Sequence, residues 1–141
     1  MFFDTSALVK RYVPEPESAV VAMQFEHGRG AVSRLAEVEV VSAICRRFRE
    51  GDLDENQRDR LFETLDQDLE VTRVIEVLPG VVARARELLG RHTLRASDAI
   101  QLASALNLQR ELNSPVRFVC FDQRLAAAAA REGLIVAGTG A

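Results

Sequence analysis

Along this chain, short unbroken apolar runs alternate with stretches in which apolar residues recur every three or four positions. Residues 1–4, Ala31-Val32-Ser33, Val71–Leu78, 116–121 and Leu134-Ile135-Val136 are runs of the first kind and predict strands. Ser6–Val13 predicts a helix stopped by Pro14 and Pro16, and Glu17–His27 a second, with Val20, Val21, Met23 and Phe25 apolar and Gly28 and Gly30 ending it. Leu35–Arg49 predicts a long helix with Leu35, Val38, Val41, Cys45 and Phe48 along one side. Asp54 caps a further helix to about Leu69, in which Leu61, Leu65 and Leu69 recur every fourth residue. Pro79 opens a helix through Leu89, His92–Ser97 reads as a loop, and Asp98–Leu112 is helical with Ala99, Leu102, Ala103 and Leu106 inward. A last helix covers 123–132 with Gly133 as its cap, and Gly138–Ala141 reads as a frayed tail. Helices alternating with strands predict an α/β protein in three layers, a mainly parallel sheet of about five strands covered on both faces, in one domain over 1–141.

Length and composition leave this picture unchanged. The 141 residues, 48% of them hydrophobic, suffice for one core, and a net charge of −3 provides no global basic field for nucleic acid. The basic residues are 17 Arg and one Lys, a skew that suits phosphate contacts but also follows from base composition. Cys45 and Cys120 are isolated in apolar surroundings, as buried thiols of a reducing, cytoplasmic compartment would be. No apolar run is long enough to cross a membrane. His27 and His92 lack zinc spacing and read as surface residues.

The candidate chemistry lies in four acids. Asp4 and Asp122 each end an apolar strand and lead into a helix, at opposite ends of the sequence. In open α/β sheets, reactive groups gather beyond the carboxyl ends of the strands, so the two carboxylates can meet. Glu39 and Asp98 lie in helical segments between them. Taken singly, Asp4, Asp98 and Asp122 are good helix caps, and Gln101 three residues after Asp98 resembles a capping box. Taken together, the four want a cation, and hard divalent ions such as Mg²⁺ take oxygen ligands. The hydroxyls of Thr5 and Ser6 stand beside Asp4, in reach of a metal-bound water.

Four blocks carry a family resemblance: Asp4-Thr5-Ser6-Ala7-Leu8-Val9-Lys10, residues 33–43, residues 94–103, and Phe121-Asp122-Gln123-Arg124-Leu125. In this order and spacing they resemble the PIN domain, in particular the VapC toxins of toxin–antitoxin pairs. The resemblance implies a Mg²⁺- or Mn²⁺-dependent endoribonuclease, a homodimer, and neutralisation by a VapB-like antitoxin. It implies an acidic quartet, metal-binding and catalytic, of Asp4, Glu39, Asp98 and Asp122, with Ser6 in support. A helical wheel places Glu37 inside the apolar arc and Glu39 at its edge, whereas the family register selects Glu39.

On this reading the reaction is metal-assisted phosphodiester hydrolysis of single-stranded or looped RNA. Lys10, Arg46, Arg95 and Arg124 are candidate phosphate contacts. With no Trp and one Tyr, stacking contributes little to substrate choice. The faces around Val20–Phe25 and Leu61–Leu69 are core candidates that could also meet a partner. Two alternatives stay open: a non-catalytic domain of the same fold that binds RNA or protein, and a phosphotransfer or receiver-like domain. A haloacid-dehalogenase-type phosphatase would want a second Asp two residues after Asp4, where Ser6 stands; a receiver would want an acidic pair near the start and a late strand-end Lys, and the one Lys is Lys10.

Overall fold

Five parallel strands form the middle layer of the computed structural model, which describes residues 1–27 and 30–138 apart from the His27 side chain. In chain order the elements are β1 (Phe2–Phe3), α1 (Thr5–Tyr12), α2 (Ser18–His27), β2 (Ala31–Ser33), α3 (Arg34–Arg49), α4 (Glu55–Val71), β3 (Arg73–Ile75), α5 (Pro79–Arg91), α6 (Ala96–Leu112), β4 (Arg117–Cys120), α7 (Gln123–Arg131) and β5 (Ile135–Gly138). The sheet order is β3-β2-β1-β4-β5, with Phe2 beside Ala31 on one flank and beside Phe118 on the other.

The side-chain alternation of a strand explains how so short a β1 organises two cores. Phe2, Ala31 and Phe118 point to one face, where Val81, Leu88, Leu102 and Leu125 of α5, α6 and α7 cover them. Phe3, Val32 and Val119 point to the other, under Leu8, Val21, Ile44 and Leu65 of α1 to α4. The chain first builds outward from β1 to β2 and β3, then returns to the opposite side of β1 for β4 and β5. Right-handed crossovers place the helices of two such growth directions on opposite faces. The direction reverses between β1 and β4, so the connections leaving their carboxyl ends part and open a crevice, the usual ligand position in such a sheet.

Several expectations are corrected. The β-branched run Val71–Leu78 is a strand only over Arg73–Ile75, because β2 offers three residues to pair with. Val71 instead ends α4 and is exposed, and Leu78 caps α5. Helix α6 begins two residues early, with Arg95 as N-cap, which puts Asp98 inside its first turn. Gly138 is not frayed: it pairs with Cys120 at φ +115°, where a Cβ would lie 2.6 Å from the Cys120 carbonyl oxygen. His92 is half-buried against Glu132 (2.7 Å), and Cys45 is only half-buried. Leu61, Leu65 and Leu69 are core, whereas Val20 and Met23 are exposed. The expectations for Gly28, the His27 side chain and residues 139–141 fall outside the described residues. No helix among the described residues is long and apolar enough to cross a membrane.

Two polar pins fix α1. Asp68 of α4 accepts from Arg11 Nε at 2.7 Å and from the Tyr12 hydroxyl at 2.6 Å. Lys10 is buried, donates to Glu15 and the Pro16 carbonyl, pairs with Glu17 at 3.1 Å and lies over the Phe121 ring. It is thereby tied to the turn after α1 rather than offered to phosphate, and Tyr12 is likewise withheld from stacking.

Candidate active site

Asp4 follows β1, and its backbone N–H continues the ladder to Val119 O at 3.0 Å. Its carboxylate is the N-cap of α1: Oδ2 accepts from Ser6 N at 3.1 Å and from Ser6 Oγ at 2.6 Å. The cap and the site are therefore one structure. Asp4 is 3% exposed, and burial together with the like charge of Asp98 pushes its carboxyl up to about 6 against the Ser6 hydrogen bonds. Ser6 Oγ also accepts from Phe121 N at 2.9 Å, which stitches the end of β4 to the start of α1. The thiol of Cys120 fills the remaining space, donating to Asp4 Oδ2 at 3.6 Å and accepting from Asp122 N at 3.4 Å, and burial pushes its titration far above the usual range.

Asp122 is the N-cap of α7 through Oδ1, which accepts from Leu125 N at 3.0 Å. Its Oδ2 lies 3.9 Å from Arg95. The same guanidinium donates to Asp98 Oδ2 at 3.2 Å and feels the charge of Glu39. Arg95 thus links the acids of α6 and α7 at the rim, with its own side chain 76% exposed.

Glu39, in the second turn of α3, turns toward α1 and α6. Its Oε1 accepts from Thr5 Oγ1 at 2.7 Å and from Gln101 Nε2 at 3.0 Å. Glu37 leaves the site altogether: it pairs with Arg34 at 2.8 Å, and Arg34 pairs in turn with Glu76 at 2.6 Å. Both hydroxyls expected to face a bound water are turned to protein groups, Thr5 to Glu39 and Ser6 to Asp4. Gln101 was legible in the sequence only as part of a capping box. It sits instead 1% exposed at the floor of the site, linked to Thr5 and Glu39. A polar residue at an inward position of an otherwise apolar helical face is the signal that points to it.

Asp98 and Asp122 are bridged by Arg95, Glu39 bonds Thr5 beside Asp4, and Asp4 feels the charge of Asp98. Among the described residues no three carboxylate, imidazole or thiol side chains stand ready around one ion position. The donor chemistry nevertheless fits a hard divalent cation. The available ligands are carboxylate oxygens, and the buried Asp4 carries a penalty for ionising that a cation would offset. Of the other basic candidates, Arg46 and Arg124 are exposed, and their guanidinium groups make no hydrogen bond or ion pair among the described residues.

A family model described as the PIN domain matches residues 1–131. Ribonuclease VapC47 of Mycobacterium tuberculosis is 33% identical over 146 residues, spanning 100% of this chain and 98% of that protein. The fold is shared with a toxin–antitoxin complex from Klebsiella pneumoniae (TM-score 0.64, 19% identity, 89% of each chain). It is also shared with FitAcB from Neisseria gonorrhoeae (TM-score 0.68, 17% identity, 96% of this chain and 94% of that one). A five-stranded parallel sheet with acids at its switch point, a family model matched over nearly the whole chain and a relative aligned from end to end lead to one assignment: the chain belongs to the PIN domain family.

Proposed function

We propose that this protein is a Mg²⁺- or Mn²⁺-dependent endoribonuclease and the toxin of a toxin–antitoxin pair. The observation that carries the reading is Asp4, a carboxylate buried at the switch point beside the like charge of Asp98, in a chain related end to end to a ribonuclease. Asp4, Asp98, Glu39 and Asp122 would hold the metal, which supplies a nucleophilic hydroxide and charge stabilisation at the scissile phosphate. Ser6 orients Asp4 and, through Phe121 N, keeps Asp122 in place. With Oε1 committed to Thr5 and Gln101, Glu39 Oε2 is the oxygen left for the site, where it would hold the metal through an intervening water that it orients and whose proton it takes. Arg95, held at the rim by Asp98 and Asp122, is the residue that would reach the phosphate if the acids were neutralised by a metal. Its exposed ion pair costs little to break. Single-stranded RNA is the substrate class, the protein works as a cytoplasmic homodimer, and a VapB-like antitoxin is its partner.

The receiver-like alternative loses its support here, because the single Lys is held by Glu15, Glu17 and Pro16. The test is cleavage of a labelled single-stranded RNA with Mn²⁺, with EDTA, and with Asp4→Asn. Cleavage is expected only for wild type with metal. Equal cleavage by Asp4→Asn would sink the assignment of the site, and no cleavage by folded wild type would leave the non-catalytic binding reading.

A further inference from the structure

We infer that Gln101 is a positioning residue of the active site: together with Thr5 it fixes the Glu39 carboxylate in the orientation that metal binding and hydrolysis require. The inference rests on the nuclease reading above and concerns the packing behind its acids.

Gln101 stands on α6, one helical turn after Asp98 and on the same face. Its neighbours Ala99, Leu102 and Ala103 are fully buried apolar residues. At a position only 1% exposed, an amide is a poor choice for packing, and Leu or Met would fill the volume without desolvating polar atoms. The cost is visible in the structure: Gln101 Oε1 is buried and has no hydrogen-bond partner among the described residues. What the amide provides lies on its other atom. Nε2 donates to Thr5 Oγ1 at 2.8 Å and to Glu39 Oε1 at 3.0 Å, while the Thr5 hydroxyl donates to the same Oε1 at 2.7 Å.

The three side chains form a closed triangle drawn from α6, α1 and α3, and its one ionisable member is Glu39. Two donors converge on one carboxylate oxygen and fix the rotation of the carboxylate about its last bond, which leaves Oε2 as the oxygen available to the site. Hydrogen bonds to an ionised acceptor are about twice as strong as neutral ones, so this triangle holds Glu39 better than packing alone. It also ties Glu39 to both neighbouring acids, since Thr5 adjoins Asp4 and Gln101 shares its face with Asp98. Groups behind a ligand that fix its orientation typically alter metal affinity or activity by about 10- to 100-fold when removed.

The test compares wild type, Gln101→Met, Thr5→Val and Thr5→Ser as full chains. Five quantities are measured: melting temperature in EDTA, Mn²⁺ affinity by calorimetry, RNA affinity in EDTA, and kcat and KM for single-stranded RNA. Gln101→Met is expected to melt at or above the wild-type temperature, because it removes the orphaned oxygen. It should bind RNA in EDTA as wild type does, yet lose about 10- to 100-fold in Mn²⁺ affinity or kcat with KM little changed. Thr5→Val should show the same split, and Thr5→Ser, which keeps the hydroxyl, should recover most of the loss. If Gln101→Met folds and matches wild type in Mn²⁺ affinity and kcat, Gln101 is a packing residue and the inference is wrong. If Gln101→Met does not fold, Thr5→Val decides by the same criteria. A wild type that neither binds Mn²⁺ nor cleaves RNA overturns the nuclease reading and this inference with it, a result distinct from an unaffected variant.

Discussion

Asp4 serves two opposed ends. As an N-cap it satisfies α1, and as a buried acid beside Asp98 it is costly to ionise. Its carboxyl titrates at about 6 in the fold against 3.8 ordinarily, and at about 1.4 kcal/mol per pH unit the difference is on the order of 3 kcal/mol. The sign follows from which state holds the proton. Below about pH 4 the acid is protonated in both folded and unfolded chains, and the fold keeps the full benefit. As pH rises toward and through about 6 the unfolded chain ionises freely while the fold resists, and stability is lost. Asp4→Asn in EDTA is therefore expected to melt several degrees above wild type near pH 7.5, with the gap closing by about pH 4. Thermal melts across that range check this, and a gap independent of pH would show that the carboxylate is not strained. The wheel misread Glu37 for a related reason. At the start of α3 the side facing the rest of the molecule abuts Thr5 and Gln101 rather than core, so the inward acid there is Glu39. Glu39→Gln should lose about 100-fold or more in cleavage with the fold intact. Glu37→Gln gives up only an exposed pair with Arg34, worth at most about 1 kcal/mol, and should stay near wild type. The opposite ranking in a cleavage assay would exchange the two roles.

Among the elements, α1 carries the site, and how it is held was not visible in the sequence. Its start, the Asp4-Thr5-Ser6 cap, was legible because caps and strand ends follow local rules. Its tether was not, because Arg11 and Asp68 are 57 positions apart and each reads alone as a solvated charge. The strand lengths that went wrong share a cause: the extent of β3 and β5 depends on which neighbour is there to pair, and the sequence does not show the neighbour. Asp68 is bound by Arg11 Nε, Arg11 Nη2 and the Tyr12 hydroxyl, and this joins α4 to α1 under the site. Removing Asp68 leaves the Tyr12 hydroxyl without its bond and Arg11 with only Glu26, whereas removing the Tyr12 hydroxyl leaves the Arg11–Asp68 pair in place. Asp68→Ala is expected to cost about 3 kcal/mol and Tyr12→Phe about 1 kcal/mol in urea unfolding. Cleavage at low denaturant should fall much less than the fold weakens. An Asp68→Ala that unfolds like wild type would mean that α1 is held by its apolar face alone.

For the whole molecule, topology and charge act together. The sheet order puts the ends of β1 and β4 side by side, and that is why acids at the two ends of the sequence share one site. The pattern of strand-end acids foreshadowed this meeting, but nothing in it foretold that a guanidinium of the same chain would stand on them. Arg95 reaches Asp98 at 3.2 Å and lies 3.9 Å from Asp122, from the exposed rim. A bidentate guanidinium from an antitoxin would meet the same oxygens with better burial than the exposed Arg95 can achieve. On the proposed function, metal and antitoxin would then compete. Raising Mg²⁺ should weaken inhibition of cleavage by the cognate antitoxin, and Arg95→Ala should strengthen it, since the internal competitor is gone. Both are read as inhibitor titrations of RNA cleavage at two or more Mg²⁺ concentrations. Inhibition that ignores Mg²⁺ and Arg95 alike would place the partner's contact away from the acids, on a surface such as the exposed Val20 and Met23 of α2.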